Sequence, residues 1–237
     1  MRILTKVLAL GLYVTSCLRP AEPGTAPAGL PKVVAPLTEG TWTWIGKMNT
    51  GNQTSDVVVT VGVKAVGDTW VIRHVVSSPG RDDAIDIGTL DRQTMECIGR
   101  EAVQGPMTMK LDTKGGKVKG SITVSGRVQT IETDAGGPLF ADGIAARQSI
   151  VALPLAEGYT TTYRTLDPQL KPRIVELKVA GTEKVTVAAG SFEALRVETR
   201  ALDGAPEPMT LWMDKGSRKL VKMAAVIGPT TVSAELE

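Results

Sequence analysis

The chain has 237 residues, 42% hydrophobic and 22% charged, with 25 glycines, 14 prolines and a formal charge of +2. Those fractions belong to a folded globular protein, so wholesale disorder is excluded, and without a glycine repeat or sustained heptads so are collagen-like and coiled-coil chains. One histidine and two cysteines leave little material for metal or nucleophile chemistry.

The first sixteen residues read as an address. Arg2 and Lys6 precede the apolar run Val7–Val14, and the small residues Thr15 and Ser16 lead to Cys17. This is the order of a secretory signal peptide over residues 1–16. The run of eight apolar residues falls far short of the roughly 20 that a membrane-spanning helix needs. Val14-Thr15-Ser16-Cys17 resembles the bacterial lipobox, which implies lipid attachment at Cys17. Two or more acyl chains, at about 0.8 kcal/mol per buried CH₂, would hold the protein on a membrane surface. An ordinary secreted protein cut near Ala26 or Ala28 is the alternative. Leu18, in place of Asp, points to the outer rather than the inner membrane. Cleavage before Cys17 leaves 25 basic and 25 acidic residues, and no basic run is interleaved with aromatics. Nucleic-acid binding is therefore not expected. Residues 17–39, rich in Pro, Gly and Ala, read as a tether.

From Gly40 to the end at residue 237 the pattern is that of one antiparallel β domain. Thr41–Ile45 opens it. Val57, Val59, Val61, Val63 and Ala65 share one face of the next strand. After the turn at Gly67-Asp68, Trp70, Ile72, His74 and Val76 share one face of a third. Further strands are expected over 84–90, 95–103, 107–112, 117–125 and 128–133. Residues 140–153 predict a short helix, ended at Pro154. Strands resume over 160–166, 171–180, 183–187, 192–200, 209–213, 219–227 and 230–236. The fold class is all-β, mainly antiparallel: a long meander forming a strongly curved sheet, a half-barrel or a two-layer sandwich, with one short helix.

Three C-terminal segments carry a resemblance. They are Leu153–Tyr159, the strand–turn–strand Val185–Val197 and the pair Leu211–Asp214 with Arg218–Lys222. They resemble a family of bacterial exported β-rich proteins grouped as a domain of unknown function, with a V-x-V-P-A-G-x-F-x-A-x-R-V strand–turn–strand. Ala188 stands where the family often has Pro. In outline the family is similar to periplasmic lipoprotein carriers, which implies a curved sheet wrapped around a helix with an apolar concavity. That likeness concerns fold, and it gives only analogy for function.

No Gly-x-Ser-x-Gly elbow, phosphate loop or dinucleotide glycine pattern occurs, and one histidine cannot furnish a zinc site. No enzyme activity, cofactor or metal is expected. Cys97 is expected as a buried small hydrophobe. The acidic stretch Arg81–Asp86 reads as a solvated turn. Trp212 is expected in the core of its strand. Two functions stay open. One is a binding or carrier module for a lipid or other apolar ligand, with Trp42, Trp44, Trp70, His74 and Trp212 as ligand-facing candidates. The other is an envelope assembly protein that binds other proteins through sheet edges.

Overall fold

The computed structural model describes residues 29–204, 208–227 and 229–237. Cys17 and the signal segment 1–16 lie outside the described residues. The strands, in chain order, are β1 (Gly40–Thr50), β2 (Gln53–Val66), β3 (Thr69–Ser77), β4 (Ala84–Asp91), β5 (Cys97–Gln104), β6 (Met107–Asp112), β7 (Lys117–Val124) and β8 (Arg127–Asp134). The helix α1 (Gly143–Ala146) and a 3₁₀ segment, Arg147–Ala152, interrupt them. Then follow β9 (Thr160–Leu166), β10 (Pro172–Val187), β11 (Gly190–Ala201), β12 (Met209–Asp214), β13 (Leu220–Ile227) and β14 (Thr230–Leu236).

All fourteen strands form one curved, open antiparallel sheet, ordered β8 to β1, then β14 to β9. The chain therefore starts at the centre of the sheet and meanders out to the β8 edge. It crosses to the opposite edge and meanders back to pair β14 with β1, where Trp44 stands opposite Leu236. The all-β expectation with one short helix holds.

Strict alternation fixes the register. Val57, Val59, Val61 and Val63 are buried on the inner face of β2, and Trp70, Ile72 and His74 on that of β3. A one-residue slip would turn every one of them to solvent. Gly46 marks the tightest approach, since a Cβ there would run into the backbone of Ser233 and Ala234 on β14. The strands expected over 171–180 and 183–187 are one strand, β10. The irregularity that Ala180-Gly181 suggests is a β-bulge between Val179 and Gly181, which shifts the register and does not end the pairing.

The segment between the two edges, residues 135–159, lies on the inner face. Leu139 accepts a backbone hydrogen bond from Cys97 on β5 (2.9 Å), and Phe140 donates one to Arg164 on β9 (2.9 Å). This connector thus bridges β5, inside one half of the sheet, and β9, the edge of the other half, which do not pair with each other. Leu139, Phe140, Ile150 and Leu153 are fully buried, and Phe140 meets Tyr163 edge to face at 5.5 Å. Helix α1 seats on β4 because Gly88 lacks a side chain, and a Cβ there would come within 3.2 Å of Ala146 N. The concavity is therefore filled by the chain itself.

Of the tether expected over 17–39, residues 17–28 lie outside the described residues, and residues 29–39 dock on the domain. Leu37 and Pro31 are buried, Leu30 and Val33 pack on the core, and Val34 N donates to Ala152 O at 2.8 Å. Aliphatic residues spaced among the prolines give this segment something to bury, and it docks as a strap. Among the described residues, no helix is long and apolar enough to cross a membrane.

Candidate functional site

The open surface of interest lies where β1 passes the turn between β12 and β13. Trp42 and Trp44 are two residues apart and share the inner face. Trp44 is buried and its Nε1 donates to Leu220 O at 3.1 Å, so it offers only ring surface to its surroundings. Trp42 is half-buried. The β12–β13 turn is shaped by Asp214, whose carboxylate accepts hydrogen bonds from Ser217 N and Oγ, both at 2.7 Å. Arg218 has φ 60°, which aims its guanidinium at the connector. There Nε donates to Val151 O at 2.9 Å, and Nη2 donates to Leu153 O.

Strap, connector, turn and β1 enclose a cavity of about 90 Å³. Its apolar wall is Leu37, Trp42, Trp44, Val63, Val151 and Leu220, and its polar wall includes Gln148, Arg218 and Lys219. Beside it runs a groove of about 700 Å³, bordered by Trp42, Phe192 and Leu236 and by Asp214, Lys219 and Glu237. Trp42, Ser217 and Lys219 border both spaces. The groove is open and of mixed character: Trp42, Ala189, Phe192 and Leu236 supply its apolar surface, and Thr41, Thr43, Ser217 and the charged residues supply the rest.

A second cluster lies deeper. Trp42, Val61, His74 and Asp86 stand side by side across β1 to β4. Asp86, expected in a solvated turn, is buried on β4, because alternation there places it on the inner face; Asp82 and Asp83 are exposed as expected. Arg100 on β5 donates Nε and Nη2 to Asp86 Oδ2 at 3.0 and 2.8 Å, and its Nη1 lies 3.7 Å from Asp142 Oδ2. Asp86 Oδ1 accepts from Ala145 N at 3.2 Å. Asp142 Oδ1 accepts from Thr165 Oγ1 and Leu166 N on β9. Burial works against the charge of Arg100, but Asp86 and Asp142 outweigh it and raise its pKa. Burial lowers His74 to about 4 against the pull of Asp86, so the ring is neutral at pH 7. Burial also raises Tyr163 and Cys97 to about 12. Cys97 is a buried thiol, not a thiolate. Of these residues Trp42 borders the cavity and the groove; His74, Asp86, Arg100, Asp142, Tyr163 and Cys97 border neither.

The five ligand-facing candidates are thus dispersed. Trp42 and Trp44 border the cavity. Trp70 is buried on β3 between Ala65 and Leu90, with Nε1 unpartnered among the described residues and Arg92 over its ring at 5.1 Å, and it borders neither space. His74 belongs to the buried charged cluster. Trp212 is not a core residue of its strand. Met209, Leu211 and Met213 take the inner positions of β12, leaving Trp212 half-buried on the outer face, where it donates to Glu183 beneath Lys222. Sequence reasoning missed Phe192, Arg218 and Lys219, which it read as fold motif only, and Leu37, which it assigned to the tether.

A single curved antiparallel sheet whose crossover fills its own interior, with an aromatic groove at one end, defines a β-barrel-like class of small domain. The chain belongs to the family described as protein of unknown function (DUF3108), whose model matches residues 40–237. Among curated proteins none matches. Of solved structures, a β-barrel-like protein of domain of unknown function DUF1849 from Brucella abortus is similar at 9% identity and a TM-score of 0.54, over 86% of this chain and 98% of that one. The hypothetical lipoprotein YmcC from Escherichia coli is similar at 12% identity and a TM-score of 0.37, over 82% and 83% of the two chains. A DUF1329 family protein from Desulfovibrio piger follows at 10% identity and a TM-score of 0.27, over 84% and 85%. The first likeness is one of fold alone, and the other two superpose too loosely to carry an argument.

Proposed function

We propose that this domain is a non-catalytic binding module for an apolar ligand, exported and held on the bacterial envelope through an acylated Cys17. The carrying observation is the groove of about 700 Å³ in which half-buried Trp42 and Phe192 and the side chain of Leu236 share one space. Aromatic surface left accessible on an otherwise buried sheet face favours an apolar guest. The non-catalytic reading is supported by where the histidine and the thiol lie: His74 and Cys97 are buried and border neither the cavity nor the groove. Export and anchoring are supported by the order of Arg2 and Lys6, Val7–Val14 and the lipobox-like Val14–Cys17.

Tryptophan fluorescence of the purified protein, titrated with a long-chain fatty acid, tests the reading, together with mass spectrometry of lipid carried through purification. A saturable change that Trp42→Phe abolishes is expected. No spectral change and no bound lipid would overturn it. Cys17→Ala should move the protein from the membrane to the soluble fraction.

A second reading, assembly through a sheet edge, is favoured by β8. It pairs with β7 on one side only and is exposed except at Ile131 and Thr133. An edge of this kind can accept an added strand. Recovery of a discrete protein partner by crosslinking in intact cells, lost when Thr130→Pro blocks the edge, would favour it.

A further inference from the structure

The charges around Trp42 are sorted between the two spaces. The small cavity is bordered by Arg218 and Lys219 and by no carboxylate, whereas Asp214 and Glu237 border only the groove. Asp214 is also committed to Ser217 N and Oγ. We infer that the guest is a single-chain anionic amphiphile, with its carboxylate or phosphate head against Arg218 and Lys219 in the small cavity and its alkyl chain along the groove over Trp42 and Phe192. This rests on the binding-module reading and adds the chemistry and orientation of the ligand.

Three observations carry it. Arg218 is fixed by Nε and Nη2 on the carbonyls of Val151 and Leu153, while Nη1 enters none of the hydrogen bonds among the described residues. A guanidinium held this way can present a pre-set donor without losing side-chain freedom on binding. Lys219 is exposed, and its ammonium forms no ion pair among the described residues, so it can neutralise an incoming anion. The sizes also agree. A space of about 90 Å³ suits a head group, and about 700 Å³ suits a chain. Trp42 and Lys219 border both, which places the junction of head and tail between an aromatic face and a cation. Trp44 Nε1 is already spent on Leu220 O, so it does not draw a neutral polar head into the cavity in the anion's place.

The test holds the chain constant and varies the head. Dodecanoate, dodecyl phosphate, dodecanol and dodecyltrimethylammonium are titrated against the purified protein, with Trp42 fluorescence as the readout. The two anions should bind about tenfold tighter than dodecanol, as one charge-assisted contact allows, and should weaken as salt rises. The ammonium compound should bind weakest. Lys219→Ala should close most of the gap between dodecanoate and dodecanol while leaving dodecanol unchanged. Lys219→Glu should reverse the order of dodecanoate and the ammonium compound. A thermal melt verifies that both variants fold. Preference for phosphate over carboxylate, or the reverse, supports the head-group assignment and identifies its source. Equal affinity for all four heads, or no response to Lys219→Glu, overturns the head-group assignment while the binding module stands. Failure of every dodecyl compound to bind removes the binding module itself, and the assignment with it.

Discussion

Arg100 donates Nε and Nη2 to the same oxygen of Asp86, and the other oxygen of that carboxylate accepts the amide of Ala145. One carboxylate thus ties β5, β4 and the connector together. Asp142, beside Arg100, extends the tie to Leu166 on β9. Since β8 and β9 do not pair, this network is one of the links that join the two halves of the sheet through the connector.

Arg100→Met removes the cation that hydrogen-bonds Asp86 and lies 3.7 Å from Asp142, leaving the two buried carboxylates only the longer-range field of Arg147. Removing one partner of such a pair costs about 3–5 kcal/mol. Urea unfolding should show a loss of that size. Hydrogen exchange at the Leu166 amide should accelerate beyond the global change, because Asp142 would shift away from it. A loss below about 1 kcal/mol, the worth of a surface pair, would mean that the network does not hold β9 to the connector and β4–β5.

His74 sets a pH dependence. Its folded pKa is about 4, pushed down mainly by burial, against an ordinary value of 6.5. The unfolded chain binds the proton more readily, so this contribution to stability is fully present above pH 6.5 and is lost as pH falls toward 4. Between pH 7.5 and 5 the loss is about 2 kcal/mol, from about 1.4 kcal/mol per pKa unit over most of that interval. His74→Gln should flatten the profile by that amount in urea titrations at the two pH values. Identical slopes for both proteins would place the ring in contact with water.

The strands were legible because β2 and β3 alternate β-branched and polar residues across a Gly-Asp turn, a signal that depends on neighbours in sequence. The filling of the concavity was not. The near-helical spacing over 140–153 suggests one helix, but the segment is a single α turn, Gly143–Ala146, and a 3₁₀ stretch, Arg147–Ala152, flanked by non-helical chain at Leu139, Phe140 and Leu153, since a plug is shaped by the surface it covers. That Phe192 and Trp42 border one groove depends on the pairing of β1 with β14, a long-range contact that no local pattern encodes. Asp86 was hidden for another reason. Its acidic neighbours Asp82 and Asp83 are solvated, and its inward aim follows from the phase of β4, which begins at Ala84.

The two buried indoles should respond differently to the same change. Trp44→Phe removes a donor and strands the Leu220 carbonyl, whereas Trp70→Phe deletes an N–H that has no partner among the described residues. Losing a buried hydrogen bond costs about 1 kcal/mol, and removing an unsatisfied donor returns a comparable amount. Trp44→Phe should therefore be the more destabilising by about 1–2 kcal/mol in denaturant titrations. The reverse order would show that volume, not the hydrogen bond, governs both sites.

The docked strap gives the last test. Leu37 is 5% exposed and borders the small cavity, while Val34, three residues earlier, is 53% exposed. Leu37→Ala removes buried methyl groups and should cost about 2–3 kcal/mol, at the lower end for core leucines because the strap can settle inward. Val34→Ala should stay within about 0.5 kcal/mol, as surface changes do. Leu37→Ala also enlarges the cavity beside Trp44, so the emission of that indole should shift to the red as solvent reaches it. If the strap were a free tether, both substitutions would leave the unfolding midpoint and the emission maximum where they are.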